Sequence, residues 1–298
     1  MPYFMGIDGG GSTLRVAIID EHATVIVEVT EGTANPNLIG REDATHHIQS
    51  AMRLALEQCP DVIGVGIGIA GASAEYATDW LLSVVHGVLP STHVASASDN
   101  EIALVGGTGQ REGLLILSGT GSGVFGINAD GDKLQVGGWG YLLGDEGSGY
   151  WIGLQALKHA THCYDVNETS LLYEAILTEL NIDSGRGIIE AIYLSEKSVP
   201  AIARLSPIVL ALAGRDDTVD KIIQQATYRL KEQATIAMTR LEMPRPKFAF
   251  AGSILENDNP ISRGLAQALN LIERPQALYR PVVGAGILAQ LSLLEATS

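Results

Sequence analysis

The sequence predicts an α/β protein made of two related domains that face each other across a cleft. The chain opens with a strand, a glycine-rich turn and a second strand, and the same order returns roughly 110 residues later. Much of the second half has apolar residues at helical spacing. With 298 residues, 46% of them hydrophobic, the chain can bury two cores, and this composition excludes a disordered protein.

The first half alternates strands with helices, as α/β domains do. Strands are predicted over 3–7, 14–20, 24–30, 62–69 and 92–96, and helices over 41–58 and 75–88. Gly64, Gly66 and Gly68 alternate with Val and Ile, so they line one face of a strand. They therefore argue against the dinucleotide-binding turn that the pattern G-x-G-x-x-G otherwise suggests.

The second half repeats the opening pattern and then becomes mainly helical; chance similarity of two glycine turns is the alternative to a repeat. Strands are predicted over 113–117, 124–128, 133–136 and 247–250, and helices over 148–161, 170–180, 185–193, 199–213, 217–241, 260–269 and 284–294. We predict an N-terminal domain, 1–112, and a C-terminal domain, 113–298, with a helical insertion over about 145–242. The last predicted helix, 284–294, could pack back on the N-terminal domain.

Charge and cysteine content exclude several classes of function. The chain has 19 Lys and Arg against 34 Asp and Glu, a formal charge of −15, which argues against nucleic acid or anionic membranes as partners. Cys59 and Cys163 are the only cysteines, so an iron–sulfur cluster or a cysteine-rich zinc site is not expected. The sequence shows neither a secretory signal nor an apolar run of membrane-spanning length, and we expect a soluble cytoplasmic protein.

The first glycine-rich turn runs from Asp8 to Thr13. Its successive glycines (Gly9, Gly10 and Gly11) let backbone N–H groups point to one side and form an anion-binding nest, to which Ser12 and Thr13 add hydroxyl groups. A carboxylate beside a phosphate needs a cation between them, so Asp8 is a candidate ligand of Mg²⁺, directly or through water. A tight hairpin with an exposed aspartate is the structural alternative.

The second glycine-rich turn has the same character without the acid. Its candidate phosphate-binding residues are Gly119, Thr120, Gly121 and Ser122. Two nests at the heads of two repeats can bind a polyphosphate from both sides. No G-x-x-x-x-G-K-[ST] pattern occurs, which excludes a P-loop nucleotidase.

Asp99 follows a predicted strand and precedes a helix expected to begin near Glu101. Aspartate is a favoured helix N-cap, and this is the structural interpretation of the residue. A carboxylate at a strand end can also orient a hydroxyl group and accept its proton, as phosphoryl transfer requires. The two roles are compatible, and we take Asp99 as the candidate general base.

A polar, glycine-rich cluster over 137–149 suits a sugar or another polyol. Its glycines, Gly138 among them, permit close approach, Trp139 offers a flat apolar wall, and Asp145 can accept hydroxyl hydrogens. A capped helix start with a core tryptophan is the alternative. Asn35 lies in a polar loop that could read hydroxyl or amide groups, and the pair His46-His47 is interpreted as solvated.

The order of these motifs resembles the N-acetylglucosamine kinase group of the BadF/BadG/BcrA/BcrD ATPase family, within the actin–hexokinase–Hsp70 superfamily. The resemblance rests on these segments and spans most of the chain: 8–13, Asn35 with 38–40, Asp99, 118–122, 137–140, 144–148 and 251–253. It implies two ribonuclease-H-like (actin/hexokinase-type) domains with ATP and a sugar in an interdomain cleft.

The resemblance also implies roles for individual residues. It assigns Asp8 to Mg²⁺, Asp99 to the base that acts on the 6-hydroxyl of the sugar, and Thr120 to the γ-phosphate. By the same resemblance the two glycine turns bind the ATP phosphates, and the adenosine-binding residues are Gly252 and Ser253. The residues at sugar-contacting positions are Asn35, Gly138, Trp139 and Asp145.

The activity implied is an ATP:hexosamine 6-phosphotransferase, a kinase of N-acetylglucosamine or glucosamine that is expected to be a homodimer. Two alternatives stay open: an ATPase activator of the BadF type, and a kinase of another hexose derivative such as N-acetylmuramic acid. The activators need a bridging cysteine beside the second glycine turn, which this chain lacks. Asn37 stands where the vertebrate-type enzymes have an aromatic residue, which bears on selectivity at the sugar 2-position.

Overall fold

The computed structural model describes residues 2–72, 74–194 and 198–297. The chain folds as two compact units. Unit 1 comprises Met1–Leu115 together with Ala277–Ser298, and unit 2 comprises Ile116–Gln276.

Unit 1 is a five-stranded sheet with helices on both faces. Its strands are β1 (Tyr3–Gly9), β2 (Leu14–Ile19), β3 (Val25–Glu31), β4 (Val62–Ile69) and β5 (His93–Ala97). Its helices are α1 (Pro36–Leu56), α2 (Ala74–His86), α3 (Asp99–Thr108) and the C-terminal helix α11 (Pro281–Thr297). The strand order is β3-β2-β1-β4-β5, in which β1, β2 and β3 are antiparallel while β4 runs parallel to both β1 and β5.

Unit 2 contains a four-stranded sheet in the order β8-β7-β6-β9 and a large helical part. Its strands are β6 (Gly113–Ser118), which starts at the boundary between the units, β7 (Ser122–Ile127), β8 (Lys133–Gly137) and β9 (Phe248–Ala251). Its helices are α4 (Gly149–Val166), α5 (Leu171–Leu180), α6 (Ile188–Tyr193), α7 (Ser198–Ala203), α8 (Ser206–Ala211), α9 (Asp217–Arg240) and α10 (Pro260–Ala268). The order β8-β7-β6 repeats β3-β2-β1, which confirms the internal repeat and the α/β class.

Several predicted helix bounds were wrong, and proline or glycine explains most of them. The segment predicted as one helix over 199–213 forms α7 and α8, because Pro207, the second residue of α8, has no N–H to donate to the carbonyl of Ala203 at the end of α7. The segment 185–193 begins as a short 3₁₀ turn, Gly185–Gly187, before α6. Helix α1 begins at Pro36 and is kinked at Gly40, whose φ of 82° lies outside the helical region.

Glycines on β1 and β4 let α11 lie directly against the sheet of unit 1. A methyl group on Gly6 would collide with the carbonyl of Val282, and one on Gly66 would collide with that of Ala285. The glycines of β4 therefore serve helix packing on one face of a strand, as the alternation predicted. This packing closes one apolar core between α3, α11 and the sheet, while α1 and α2 cover a second core on the opposite face.

Both cysteines are buried free thiols, Cys59 in unit 1 and Cys163 in α4. Across the described ranges, no helix is both long and apolar enough to cross a bilayer.

Candidate active site

The sheet of unit 1 brings Asp8 and Asp99 to one edge. Parallel strands end at the same edge of a sheet, and in α/β proteins ligands bind there. Asp8 on β1 pairs with Gly68 on β4, and Gly68 pairs with Ala97 on β5. Asp99 comes two residues after Ala97, so the two aspartates lie at the same edge, near enough for the charge of Asp99 to raise the pKa of Asp8.

Asp8 is a half-buried carboxyl with a raised pKa. Burial raises its pKa to about 6 from an ordinary value of 3.8; Arg15 opposes this shift, and the charge of Asp99 adds to it. Arg15 is its cross-strand partner on β2. Loss of hydration is the largest cause, so the charge of Arg15 compensates the ionised form of Asp8 only in part.

Asp99 does not cap the helix that follows it. Helix α3 begins at Asp99, earlier than predicted, and Ser98 is its N-cap, with a hydroxyl that accepts the N–H of Glu101 at 3.1 Å. The carboxylate of Asp99 accepts the N–H of Asn100 at 3.0 Å. Burial nevertheless raises the pKa of Asp99 above its ordinary value of 3.8, an effect that this hydrogen bond opposes. The N-cap interpretation was therefore wrong.

The first glycine turn is shorter than predicted, because β1 continues through Gly9. The N–H of Gly10 donates to the carbonyl of Thr13 at 2.9 Å and closes the turn. The carbonyls of Gly10 and Gly11 accept the hydroxyl of Thr33, at 3.4 and 3.1 Å. Among the described residues the N–H groups of Gly11 and Ser12 have no hydrogen-bond partner, and both residues are exposed. Both groups are donors that the turn can offer to an anion.

The loop that carries Asn35 is tied to the turn after β4. Asn35 caps α1, with a side-chain oxygen that accepts the N–H of Asn37 at 2.9 Å. The amide of Asn37 donates to the carbonyl of Gly71 at 3.1 Å. Gly71 has a φ of 79°; a methyl group there would collide with Asn35 Oδ1 and lie 2.8 Å from Asn37 Nδ2. The loop thus depends on a glycine that sequence analysis did not select.

His47 holds the same loop from α1. Its Nδ1 lies 2.9 Å from the carbonyl oxygen of Thr33, an atom that can only accept, so Nδ1 carries the hydrogen. The interpretation of His46-His47 as a solvated pair was wrong for His47, whereas His46 is exposed.

The second glycine turn, in unit 2, packs against the start of α4. The N–H of Gly149 donates to the carbonyl of Gly119 at 2.7 Å, and the hydroxyl of Ser118 donates to the carbonyl of Gly147 at 2.8 Å. Ser122 lies on β7 and is buried, and its hydroxyl donates to the carbonyl of Glu146 at 3.0 Å. Thr120 is exposed at the tip, so its hydroxyl is accessible to a ligand.

Gly252 and Ser253 lie against the second turn. Gly252 has a φ of 84°, and a methyl group there would lie 2.5 Å from the carbonyl of Ser118 and 2.8 Å from the nitrogen of Gly119. The N–H of Ile254 donates to the carbonyl of Ser118 at 2.9 Å. Unit 2 therefore brings the candidate phosphate turn and the candidate adenosine residues together.

Asp145 is buried between the second turn and the glycine-rich cluster. It is 7% exposed with a φ of 60°, and its carboxylate accepts the N–H of Gly140 at 3.3 Å. Burial raises the pKa of Asp145, while the backbone groups of Gly140 and Ser122 oppose that shift. Trp139 is 74% exposed, so the alternative of a core tryptophan was wrong, although α4 does begin with a cap, Ser148.

Gly137 and Gly138 both have positive φ, 72° and 68°. A glutamine side chain packs against each of them. The side chain of Gln233 fills the position that a methyl group on Gly137 would need, and Gln135 does the same for Gly138. Gln233 is 8% exposed, and its Oε1 has no partner in the described structure. Sequence reasoning missed Gln233, because α9 is remote in the chain and carries no local motif.

The family model described as the BadF/BadG/BcrA/BcrD ATPase family matches residues 5–289. The chain belongs to this family. It is 32% identical over 282 residues, 91% of each chain, to an N-acetylmuramic acid/N-acetylglucosamine kinase of Clostridium acetobutylicum. It is 28% identical over 235 residues, 74% of each chain, to an N-acetyl-D-glucosamine kinase of Dictyostelium discoideum.

Solved structures support the fold predicted for a BadF/BadG/BcrA/BcrD ATPase. A candidate N-acetylglucosamine kinase from Chromobacterium violaceum superimposes with a TM-score of 0.70 at 22% identity, over 97% of this chain and 99% of that one. The chain therefore has the actin/hexokinase-type α/β fold with two ribonuclease-H-like sheets.

The donor groups of this family member fit a Mg²⁺-bound nucleotide. Mg²⁺ is usually held by one or two carboxylates, with waters and substrate phosphates as the other ligands. Asp8 and Asp99 are two half-buried carboxyls at the same edge, and Asp8 would hold the ion. Within the described ranges there is no cluster of three or more His, Cys, Asp or Glu side chains that could hold a metal ion.

Proposed function

We propose that this chain is an ATP-dependent kinase that phosphorylates the 6-hydroxyl of a hexosamine, N-acetylglucosamine or glucosamine. The observation that carries the proposal is the pair of half-buried carboxyls, Asp8 and Asp99, at the strand ends of unit 1, both with a raised pKa. The first glycine turn, whose Gly11 and Ser12 N–H groups have no partner within the described ranges, lies directly after Asp8. The names of the relatives, both kinases of N-acetylated amino sugars, support the same reaction.

In this proposal Asp99 is the general base. As the 6-oxygen of the sugar forms its bond to the γ-phosphorus, its proton passes to the Asp99 carboxylate, and the bond from the γ-phosphorus to the ADP oxygen breaks. Burial raises the pKa of Asp99 toward neutral pH, and a general base is most effective when its pKa lies near the working pH. Mg²⁺, when bound, offsets the negative charge of the phosphates, and Asp8 would hold it.

The other residues of the proposal bind the two substrates. The phosphate-binding residues are Gly9, Gly10, Gly11, Ser12 and Thr13 in unit 1, and Gly119, Thr120, Gly121 and Ser122 in unit 2. Gly252 and Ser253 bind the adenosine, and Asn35, Gly138, Trp139 and Asp145 contact the sugar. We further propose a homodimer that acts in the cytoplasm, where ATP is available.

The competing function is an ATPase activator without a sugar substrate. Such a protein needs an accessible thiol to carry an electron-transfer cluster, whereas Cys59 and Cys163 are both buried. The Sγ of Cys163 also lies 3.3 Å from Nε2 of His159, inside the helical part of unit 2. These observations favour the kinase.

A sugar panel with Mg²⁺ and ATP tests the proposal. ADP formation is measured with N-acetylglucosamine, glucosamine, N-acetylmuramic acid, N-acetylmannosamine and glucose, and the product is located by phosphorus NMR. We expect ADP to appear only with a hexosamine and the phosphate to lie on the 6-oxygen. The 6-deoxy form of the best sugar is the control; it should bind competitively and yield no ADP. ADP release at the same rate with and without sugar would instead favour the activator.

A single methyl group on Gly71 should impair sugar binding. Gly71→Ala places that group against Asn35 and Asn37 and strains a φ of 79°, so we expect the sugar KM to rise about tenfold and the unfolding free energy to fall by about 1 kcal/mol. Gly131→Ala is the matched control, because Gly131 has a φ of 84° and open space around it. An unchanged sugar KM in Gly71→Ala would separate this turn from the sugar site.

A further inference from the structure

Thr33 lies between the first glycine turn and the loop that carries Asn35. It follows β3, and its hydroxyl donates toward the carbonyls of Gly10 and Gly11, at 3.4 and 3.1 Å. The same oxygen accepts the N–H of Asn35 at 3.1 Å. One hydroxyl group therefore has a hydrogen bond on each side, one to a candidate ATP-binding element and one to a candidate sugar-binding element.

The bonds from Thr33 determine where the turn directs its donors. In a trans peptide the C=O and N–H bonds point in opposite directions. When the carbonyls of Gly10 and Gly11 face Thr33, the N–H groups of Gly11 and Ser12 face the opposite way. Neither of these two N–H groups has a hydrogen-bond partner among the described residues. The hydroxyl of Thr33 thus orients the donors that would meet a phosphate.

Thr33 is itself held firmly. Its carbonyl accepts Nδ1–H of His47 at 2.9 Å, and His47 belongs to α1, the same helix that Asn35 caps. The hydroxyl is therefore presented from a fixed backbone, and a preorganised donor loses little freedom when a ligand binds.

We propose that Thr33 is a positioning residue that orients the phosphate turn and the sugar-reading asparagine through one hydroxyl group. The expected effect of Thr33 on the sugar KM rests on the proposed kinase function. The expected effect on nucleotide binding does not depend on a sugar substrate. It assigns Thr33 no contact with either substrate; Thr33 acts through Gly11, Ser12 and Asn35.

The test compares Thr33→Val, which keeps the shape and removes the hydroxyl, with Thr33→Ser, which restores it. Loss of a hydrogen bond on each side should raise both the Kd for the Mg²⁺ complex of a non-hydrolysable ATP analogue and the sugar KM about fivefold, with kcat changed less. Thr33→Ser should recover both constants. Thr30→Val, an exposed threonine on β3, is the matched control.

Amide NMR of the ligand-free protein provides a readout that is independent of activity. The Gly11 and Ser12 signals should move in Thr33→Val and return in Thr33→Ser. A folded Thr33→Val protein with both constants and both signals unchanged would overturn the proposal, as would a loss of thermal stability alone. If Thr33→Val does not fold, Thr33→Ala is measured in the same way. Failure of the wild type to phosphorylate any sugar would count against the kinase function, while analogue binding and the amide signals still decide the role of Thr33.

Discussion

Asp99→Asn should abolish sugar phosphorylation while ATP binding stays close to that of the wild type. Asparagine keeps the size and the hydrogen-bond acceptor but cannot take a proton from the sugar hydroxyl. General-base catalysis contributes about 10² to 10⁴ in rate, so we expect kcat to fall by at least about a hundredfold. The measurement is coupled ADP formation at saturating sugar, together with calorimetry of a non-hydrolysable ATP analogue.

The matched control for Asp99→Asn is Asp61→Asn, which makes the same chemical change at an exposed position before β4. It should leave kcat and the analogue Kd unchanged. If Asp99→Asn retains turnover within a few-fold of the wild type, Asp99 is not the base. If it loses analogue binding as well, its role lies in holding the nucleotide.

Asp8→Asn should impair catalysis and yet stabilise the ligand-free protein above pH 6. Burial raises the pKa of Asp8 from 3.8 to about 6, so the folded state prefers the protonated acid. As the pH rises from 3.8 through about 6, ionisation of Asp8 costs the folded state stability, and above that range the loss is constant. The full loss is about 3 kcal/mol by linkage. Asparagine is neutral and does not incur it.

Thermal unfolding at pH 4 and pH 8 tests the stability of Asp8→Asn. The difference in Tm between variant and wild type should favour the variant at pH 8 and shrink toward zero at pH 4, while Asp61→Asn shows no such trend. Without the carboxylate, we expect kcat/KM for Mg²⁺-ATP to fall about a hundredfold. A variant that is less stable than the wild type at pH 8 would show that ionised Asp8 already has a compensating partner.

Local chemistry made the two glycine turns and the positions of the candidate carboxyls predictable. Glycine runs beside apolar strands marked both turns, and Asp8 and Asp99 were selected because each adjoins a predicted strand end. The repeat was visible because strands, turns and their spacing are short-range properties of the chain. Helix breaks were less predictable, since Pro207 and Gly40 act on the backbone of neighbouring residues within otherwise apolar or helical segments.

The amino-acid sequence by itself determined the α/β class and the duplicated meander, and it selected the candidate active groups. Only the tertiary structure decided how those groups are supported. The contacts of Thr33 with Gly11, of Gly71 with Asn35, and of Gln233 with Gly137 join residues that are distant in sequence. No local periodicity of the sequence predicts such contacts. The pKa of Asp8 is likewise decided by the tertiary structure, because it depends mainly on the water that the folded chain removes from around the carboxyl group.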